Sequence, residues 1–90
     1  MKKFVYLISP PKIDEKIFYK NLNNVLKTRR VTFFQIRLKN LKIKKLINIA
    51  KKIKKITKRN NVKLIINDNP FIAKKINADG CHIGQKDLNF

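Results

Sequence analysis

Mainly apolar runs of strand length alternate along the chain with segments of helical periodicity. The runs cover residues 4–8, 31–36, 62–66 and 79–83, and the segments between them carry apolar residues near helical spacing. This alternation predicts four parallel strands with helices packed outside the sheet. Crossovers between such strands are right-handed. The sequence therefore predicts the α/β class, with about three and a half β/α units.

Capping residues place the predicted helices. Asp14 is predicted to cap a first helix that runs to about Lys27, and Asn40 a second helix over residues 41–58. Asn69 followed by Pro70 predicts a short third helix that runs to about residue 76, since proline is favoured at the first helical position. The second helix has an apolar stripe, and lysines cover most of its remaining surface.

The net charge of +18 permits two interpretations. A basic chain can bind nucleic acid or an anionic membrane surface. Lysine, isoleucine and asparagine together make up nearly half of the residues, however, and these are the amino acids of AT-rich codons. Only four of the 23 cationic residues are arginine, which nucleic-acid sites use heavily. We therefore expect nucleic-acid binding to be adventitious.

Composition also limits the location of the protein. No apolar run approaches the roughly 20 residues that span a bilayer, and the run at 4–8 is too short for a secretory signal. The single cysteine, Cys81, excludes an internal disulfide and is typical of a reducing compartment. The sequence predicts a cytoplasmic protein with no membrane partner.

Two carboxylates follow the last two predicted strands. Asp68 comes after the run at 62–66, and Asp87 comes after the run that ends at Ile83. Carboxyl ends of neighbouring parallel strands meet at one edge of a sheet, where α/β proteins bind ligands. Two carboxylates there can share Mg²⁺ with substrate phosphates. The structural alternative is that both aspartates cap helices or form turns.

Three polar residues follow the second predicted strand. Gln35, Arg37 and Lys39 occupy alternate positions, so an extended strand would direct them to one face. Arginine binds phosphate through a planar fork and lysine as a point charge, while an amide can recognise the polar edge of a ring. These residues indicate a site for a diphosphate ester, or alternatively a solvated strand end.

Four segments resemble the thiamine phosphate synthase family in order and near spacing, and the resemblance runs over all 90 residues. The last segment is the most specific of the four. The segments are Tyr6-Leu7-Ile8-Ser9, Gln35-x-Arg37-x-Lys39, Ile65-Ile66-Asn67-Asp68 and Ala78-Asp79-Gly80-Cys81-His82-Ile83-Gly84-Gln85-x-Asp87. The chain departs from many relatives at Leu38, where they carry an acid.

The resemblance implies a (β/α)₈ TIM barrel that couples 4-amino-5-hydroxymethyl-2-methylpyrimidine diphosphate to thiazole phosphate and releases diphosphate. It implies that Gln35, Arg37, Lys39 and Asn67 bind the pyrimidine diphosphate, and that Asp68 and Asp87 hold Mg²⁺. The family needs no acid–base residue or nucleophile, so none is assigned. His82 is expected to be structural.

A complete barrel takes roughly 200 residues or more. We therefore expect residues 1–90 to be a single partial domain, the amino-terminal half of the barrel, inactive alone and without the thiazole phosphate site. Possible partners are a complementary half-barrel or further copies of the chain. Two other functions stay open: a small basic RNA-binding protein, and a relative that resembles thiazole tautomerase.

Overall fold

A computed structural model describes residues 4–83 and contains alternating strands and helices. The order along the chain confirms the predicted α/β alternation of three β/α units followed by a fourth strand. The elements are β1 (Tyr6–Ile8), α1 (Glu15–Leu26), β2 (Phe33–Ile36), α2 (Ile43–Arg59), β3 (Lys63–Asn67), α3 (Pro70–Lys75) and β4 (Gly80–His82). Within the described residues, no helix is long and apolar enough to cross a membrane.

The strands form one parallel sheet in the order β1-β2-β3-β4. Leu7 lies opposite Phe34, which in turn lies opposite Leu64. Because all the strands run in the same direction, their carboxyl ends lie at one edge of the sheet. This edge is where the predicted site residues are expected to meet.

The core lies between the sheet and the helices. Phe34, Ile36 and Leu64 point to the helical side and are almost fully buried. Phe34 packs against Phe18 of α1, with ring centroids 6.4 Å apart. On α2, Ile53 has no exposed surface, and burial of such a side chain stabilises the fold by about 1.5–3 kcal/mol.

The opposite face of the sheet is largely open within the described residues. The apolar first strand is exposed on this face, since Phe4 is 71% exposed and Tyr6 and Ile8 are each 45% exposed. Tyr6 nevertheless stacks on Phe33, with ring centroids 5.6 Å apart. The helices cover only one side of the sheet, so an apolar strand here is covered on one side only.

Helix caps agree with the sequence at two of three positions. The Asp14 carboxylate accepts a hydrogen bond from the backbone N–H of Lys16 (3.0 Å), and the Asn69 side chain accepts one from Ile72 (3.0 Å). The prediction for Asn40 is wrong, because α2 is preceded by Lys42 as its N-cap. Asn40 adopts φ of 59° instead, a left-handed conformation that asparagine tolerates.

Ionic contacts join α1 to one side of α2. The Glu15 carboxylate lies 3.1 Å from Lys45 Nζ and 3.6 Å from Lys52 Nζ, and it accepts a hydrogen bond from the Tyr19 hydroxyl (2.8 Å). The Tyr19 hydrogen bond and then Lys45 lower the pKa of Glu15. Burial and the Glu15 contact raise the pKa of Tyr19. Two of the α2 lysines are thereby paired.

Candidate functional site

Strand register brings three polar residues to the carboxyl edge of the sheet. Asn67 is the last residue of β3 and lies opposite His82 of β4. Ile36 of β2 lies opposite Ile66, so Arg37 follows at the level of Asn67. Arg37 and His82 are exposed and Asn67 is partly exposed. These side chains therefore lie at the edge where a ligand could reach them.

Gln35 lies one level deeper, on the face opposite the helices. Its side chain is only 3% exposed, and its Nε2 donates to the Tyr6 hydroxyl at 2.9 Å. Its Oε1 is buried and has no hydrogen-bond partner among residues 4–83. Buried polar atoms are normally paired, because an unpaired one costs about 1–3 kcal/mol. Gln35 therefore carries an unpaired acceptor, which a ligand could satisfy only if the side chains that cover it move aside.

Ser9 holds the end of β2 in place. Its backbone N–H donates to the Gln35 carbonyl oxygen (2.9 Å), and its Oγ accepts a hydrogen bond from the Arg37 N–H (2.8 Å). Ser9 is only 5% exposed. It thus continues the ladder by one residue beyond each strand and fixes the backbone from which the Arg37 side chain projects. Sequence reasoning did not assign Ser9 or Tyr6 to the site, since both act through contacts between strands.

Lys39 lies in the loop between β2 and α2. Strand β2 ends at Ile36, so the predicted shared strand face of Gln35, Arg37 and Lys39 is wrong beyond that point. The Lys39 backbone N–H donates to the Pro11 carbonyl oxygen (3.2 Å), which joins this loop to the one after β1. Lys39 also lines a cavity of about 420 Å³ next to the starts of α1 and α2. The structure therefore places Lys39 on a loop and not on the strand that carries Gln35.

Asp68 marks a sharp turn of the backbone directly after β3. Its φ is 55°, in the left-handed region that aspartate visits more readily than most residues. Its N–H donates to the His82 carbonyl oxygen (2.7 Å), which ties the turn to β4. Its Oδ2 lies 3.4 Å from Asn67 Nδ2. The turn places an exposed carboxylate beside the edge residues.

The chemistry of Asp68 fits a hard cation. Mg²⁺ is commonly held by one or two carboxylates, with substrate phosphates and water as the other ligands. Within residues 4–83, no group of three or more histidine, cysteine, aspartate or glutamate side chains could form a metal site by itself. The second predicted ligand, Asp87, lies outside the described residues, so only Asp68 is placed at this edge.

Asp79 and Cys81, the other acidic and thiol side chains of the β3–β4 region, make contacts that support the fold. Asp79 lies at the amino end of β4, where its carboxylate accepts the Leu64 N–H (2.7 Å) and its own N–H donates to the Leu64 carbonyl oxygen (2.9 Å). Cys81 packs at the margin of the core as a free thiol. Asp79 therefore joins the start of β4 to β3, at the opposite edge of the sheet from Asp68.

A parallel β/α sheet with cationic, amide and carboxylate side chains at its carboxyl edge is typical of β/α-barrel enzymes that bind anionic ligands. The family model described as "Thiamine monophosphate synthase" matches residues 5–90, and the chain belongs to this family. The resemblance seen in the four sequence segments is confirmed.

Individual proteins agree with this assignment. The chain is 57% identical over 89 residues to a thiamine-phosphate synthase of Pelagibacter ubique, covering 98% of this chain and 42% of the relative. It is 41% identical over 85 residues to the one of Clostridium acetobutylicum, covering 93% and 40%. The chain thus spans about two fifths of the length of these relatives.

A solved structure shows the same fold. Thiamine phosphate pyrophosphorylase from Pyrococcus furiosus superposes with a TM-score of 0.71 at 21% identity, over 87% of this chain and 37% of that protein. The predicted partial barrel is therefore confirmed at the level of fold.

Proposed function

We propose that this chain supplies the pyrimidine-diphosphate half of a thiamine phosphate synthase active site. The complete enzyme would join the pyrimidine diphosphate to thiazole phosphate and release diphosphate. Residues 1–90 would form one partial domain of the barrel and act in the cytoplasm. The observation that supports this most is the placement of Arg37 and Asn67 at one sheet edge, with Gln35 one level deeper in the same sheet, in a chain of this family.

The aminopyrimidine ring would bind over the open face of the sheet. Gln35 Oε1 is a buried acceptor without a partner in the described residues, and an exocyclic amine is the donor that it lacks. The Tyr6 hydroxyl holds the other atom of the amide, which fixes the orientation of the acceptor. The ring would therefore be recognised by a preoriented amide once the side chains that cover its oxygen move aside.

The diphosphate would lie at the carboxyl edge. The Arg37 guanidinium can bind two phosphate oxygens at once, and the Asn67 amide can donate a further hydrogen bond. Lys39, on its separate loop, would add charge to the same substrate. These groups would neutralise the departing diphosphate and hold it in line, which is the main task in a reaction that needs no nucleophile from the protein.

Asp68 and Asp87 would hold Mg²⁺ next to the diphosphate. A bound Mg²⁺ would supply further neutralisation of the leaving group. The structural support is the exposed Asp68 carboxylate beside Asn67, held there by its N–H bond to His82. In the proposed site, the turn after β3 would orient the Asp68 carboxylate toward the metal.

Isothermal titration of the chain with the pyrimidine diphosphate tests the proposal. We expect binding that requires Mg²⁺ and is lost in Asp68→Ala. Asp14→Ala is the matched control, because it removes an exposed carboxylate at the N-cap of α1, away from the sheet edge. Circular dichroism checks that each variant is folded. Equal binding by Asp68→Ala and wild type, or no binding by a folded wild type, would contradict the proposal.

A further inference from the structure

Six of the seven lysines of α2 fall into two groups with different surroundings. Lys45 and Lys52 lie on the side that faces α1, where Glu15 pairs with both. A second group recurs at positions i, i+3, i+4 and i+7, which makes one stripe on a helix. This stripe faces α3 and consists of Lys51, Lys54, Lys55 and Lys58.

The stripe borders a concave surface, which we call the lysine groove. Its volume is about 390 Å³, and a second cavity of about 250 Å³ shares Lys54, Lys58 and Asn77 with it. The groove is lined by Lys51, Lys54, Lys55, Lys58, Lys75, Ile76 and Asn77.

Among the residues that the structure describes, no carboxylate lines the lysine groove. Asp79 lines the adjoining cavity, but its carboxylate already accepts the Leu64 N–H. Within residues 4–83, the ion pairs found are those of Glu15, on the other side of α2. Like charges four residues apart on a helix destabilise it by about 0.2–0.5 kcal/mol per pair, so Lys51 and Lys55 repel each other. A bound anion would relieve this repulsion.

Structural roles account for only some of these lysines. Lys54 Nζ donates to the Ile76 carbonyl oxygen (2.7 Å) and so caps the end of α3. Lys58 and Lys75 lie in the last turns of their helices, where a cation is favoured by the helix dipole. Lys51 and Lys55 lie before the last turn of α2, and within the described part of the chain they have no such role.

We propose that the lysine groove binds the phosphate backbone of a nucleic acid strand. Lys51 to Lys58 extend over about 10 Å of helix, a length that reaches more than one phosphate of a strand. No exposed large apolar side chain lies among the groove residues, which distinguishes the surface from one that inserts into a lipid bilayer. Lysines make up most of the groove lining and meet phosphates as point charges, so we expect binding that depends little on sequence.

Fluorescence anisotropy with a labelled, unstructured single-stranded RNA tests this proposal. The groove variant carries Lys51→Gln, Lys55→Gln, Lys58→Gln and Lys75→Gln, and it leaves the Lys54 cap intact. The control variant carries Lys16→Gln, Lys20→Gln, Lys27→Gln and Lys42→Gln on α1 and at the start of α2, which lowers the net charge by the same four units from +18. The two variants separate the local surface from overall charge.

We expect wild type to bind with log K falling by about 3 per decade of salt, since each neutralised phosphate contributes about 0.7 on single strands. The groove variant should lose affinity about tenfold or more, and the control variant less than about threefold. Equal losses in the two variants, as expected if net charge alone attracts the RNA, would overturn the proposal. Binding to anionic lipid vesicles without binding to RNA would also overturn it.

Discussion

The buried Gln35 amide should lower the stability of the fold while it serves the candidate site. The substitutions Tyr6→Phe and Gln35→Leu measure this cost in the free energy of unfolding. Gln35 is 3% exposed, its Nε2 donates to the Tyr6 hydroxyl, and its Oε1 has no partner in the described residues. A side chain selected only for packing at this position would be apolar. We infer that the unpaired acceptor is kept for a ligand.

Tyr6→Phe should lower the free energy of unfolding by about 1–3 kcal/mol, because it leaves the buried Nε2 without its acceptor. The ring contact with Phe33 is retained in this variant. Gln35→Leu removes the unpaired Oε1, a relief of about 1–3 kcal/mol, and loses one hydrogen bond worth about 1 kcal/mol. The result should be neutral or up to about 2 kcal/mol more stable. In Gln35→Leu the Tyr6 hydroxyl loses the Gln35 amide as a partner, but Tyr6 is 45% exposed, so its hydroxyl can bond to water instead.

The assay is urea denaturation followed by circular dichroism, for both single variants and the double variant. In the Gln35→Leu background, Tyr6→Phe should cost close to nothing, which gives a coupling of about 1–3 kcal/mol. Binding of the pyrimidine diphosphate should be lost in Gln35→Leu even though the fold is retained. A Gln35→Leu chain that is destabilised by more than about 2 kcal/mol, with Tyr6→Phe neutral, would refute the reasoning.

Three further outcomes follow from single contacts. Ser9→Ala removes the buried acceptor of the Arg37 N–H, so it should lower the free energy of unfolding by about 1–3 kcal/mol and weaken diphosphate binding. Ser9→Thr keeps the hydroxyl and is the control. Urea denaturation measures the stability and calorimetry measures the binding. Asp79→Ala leaves the Leu64 N–H unpaired and should cost about 1–3 kcal/mol in urea denaturation, with Asp79→Asn milder. The pKa of Glu15 is lowered in the folded chain. The stabilising effect of Glu15 is therefore present above the ordinary glutamate pKa of about 4.3 and is lost as the pH falls through the pKa of the folded state. Thermal melts from pH 6 to about 3 should show a loss of stability that is smaller in Glu15→Gln than in wild type.

Much of the fold follows from local patterns in the sequence. The alternation of short apolar runs and helical segments determines the order of elements, and Asp14 and Asn69 begin α1 and α3 as predicted. Asn40 misled the prediction because asparagine is favoured both at helix N-caps and in left-handed turns. The choice between an N-cap and a left-handed turn depends on how the loop after β2 packs. The Lys39 N–H bonds this loop to the Pro11 carbonyl oxygen, a contact that the local sequence does not show.

The open face of the sheet could not be predicted from strand 1 alone. An apolar run such as 4–8 is typical of a strand buried on both sides, yet Tyr6 and Ile8 point to a face that the helices do not cover. In a closed β/α barrel the corresponding face of each strand is covered by side chains of the other strands. The chain spans about two fifths of the length of its relatives, which is consistent with a partial barrel.

The placement of the candidate residues was predicted in part. Asn67, Asp68 and Arg37 reach one edge because each ends or directly follows a strand of the same parallel sheet. That inference needs only the order of elements. The contacts of Tyr6 with Gln35 and of Ser9 with Arg37 join residues 29 and 28 positions apart. Such contacts depend on the register between β1 and β2, which no local pattern specifies.

Side-chain and backbone ¹⁵N–¹H spectra of the labelled chain test the central claim most directly. Inorganic diphosphate with Mg²⁺ should shift the signals of Arg37, Asn67 and Asp68 and leave the Gln35 amide unchanged. The pyrimidine diphosphate should shift all of these, including the Gln35 side-chain amide. A folded chain whose Gln35 and Arg37 signals are unmoved by the pyrimidine diphosphate at saturating Mg²⁺ would contradict the half-site described for this sheet edge.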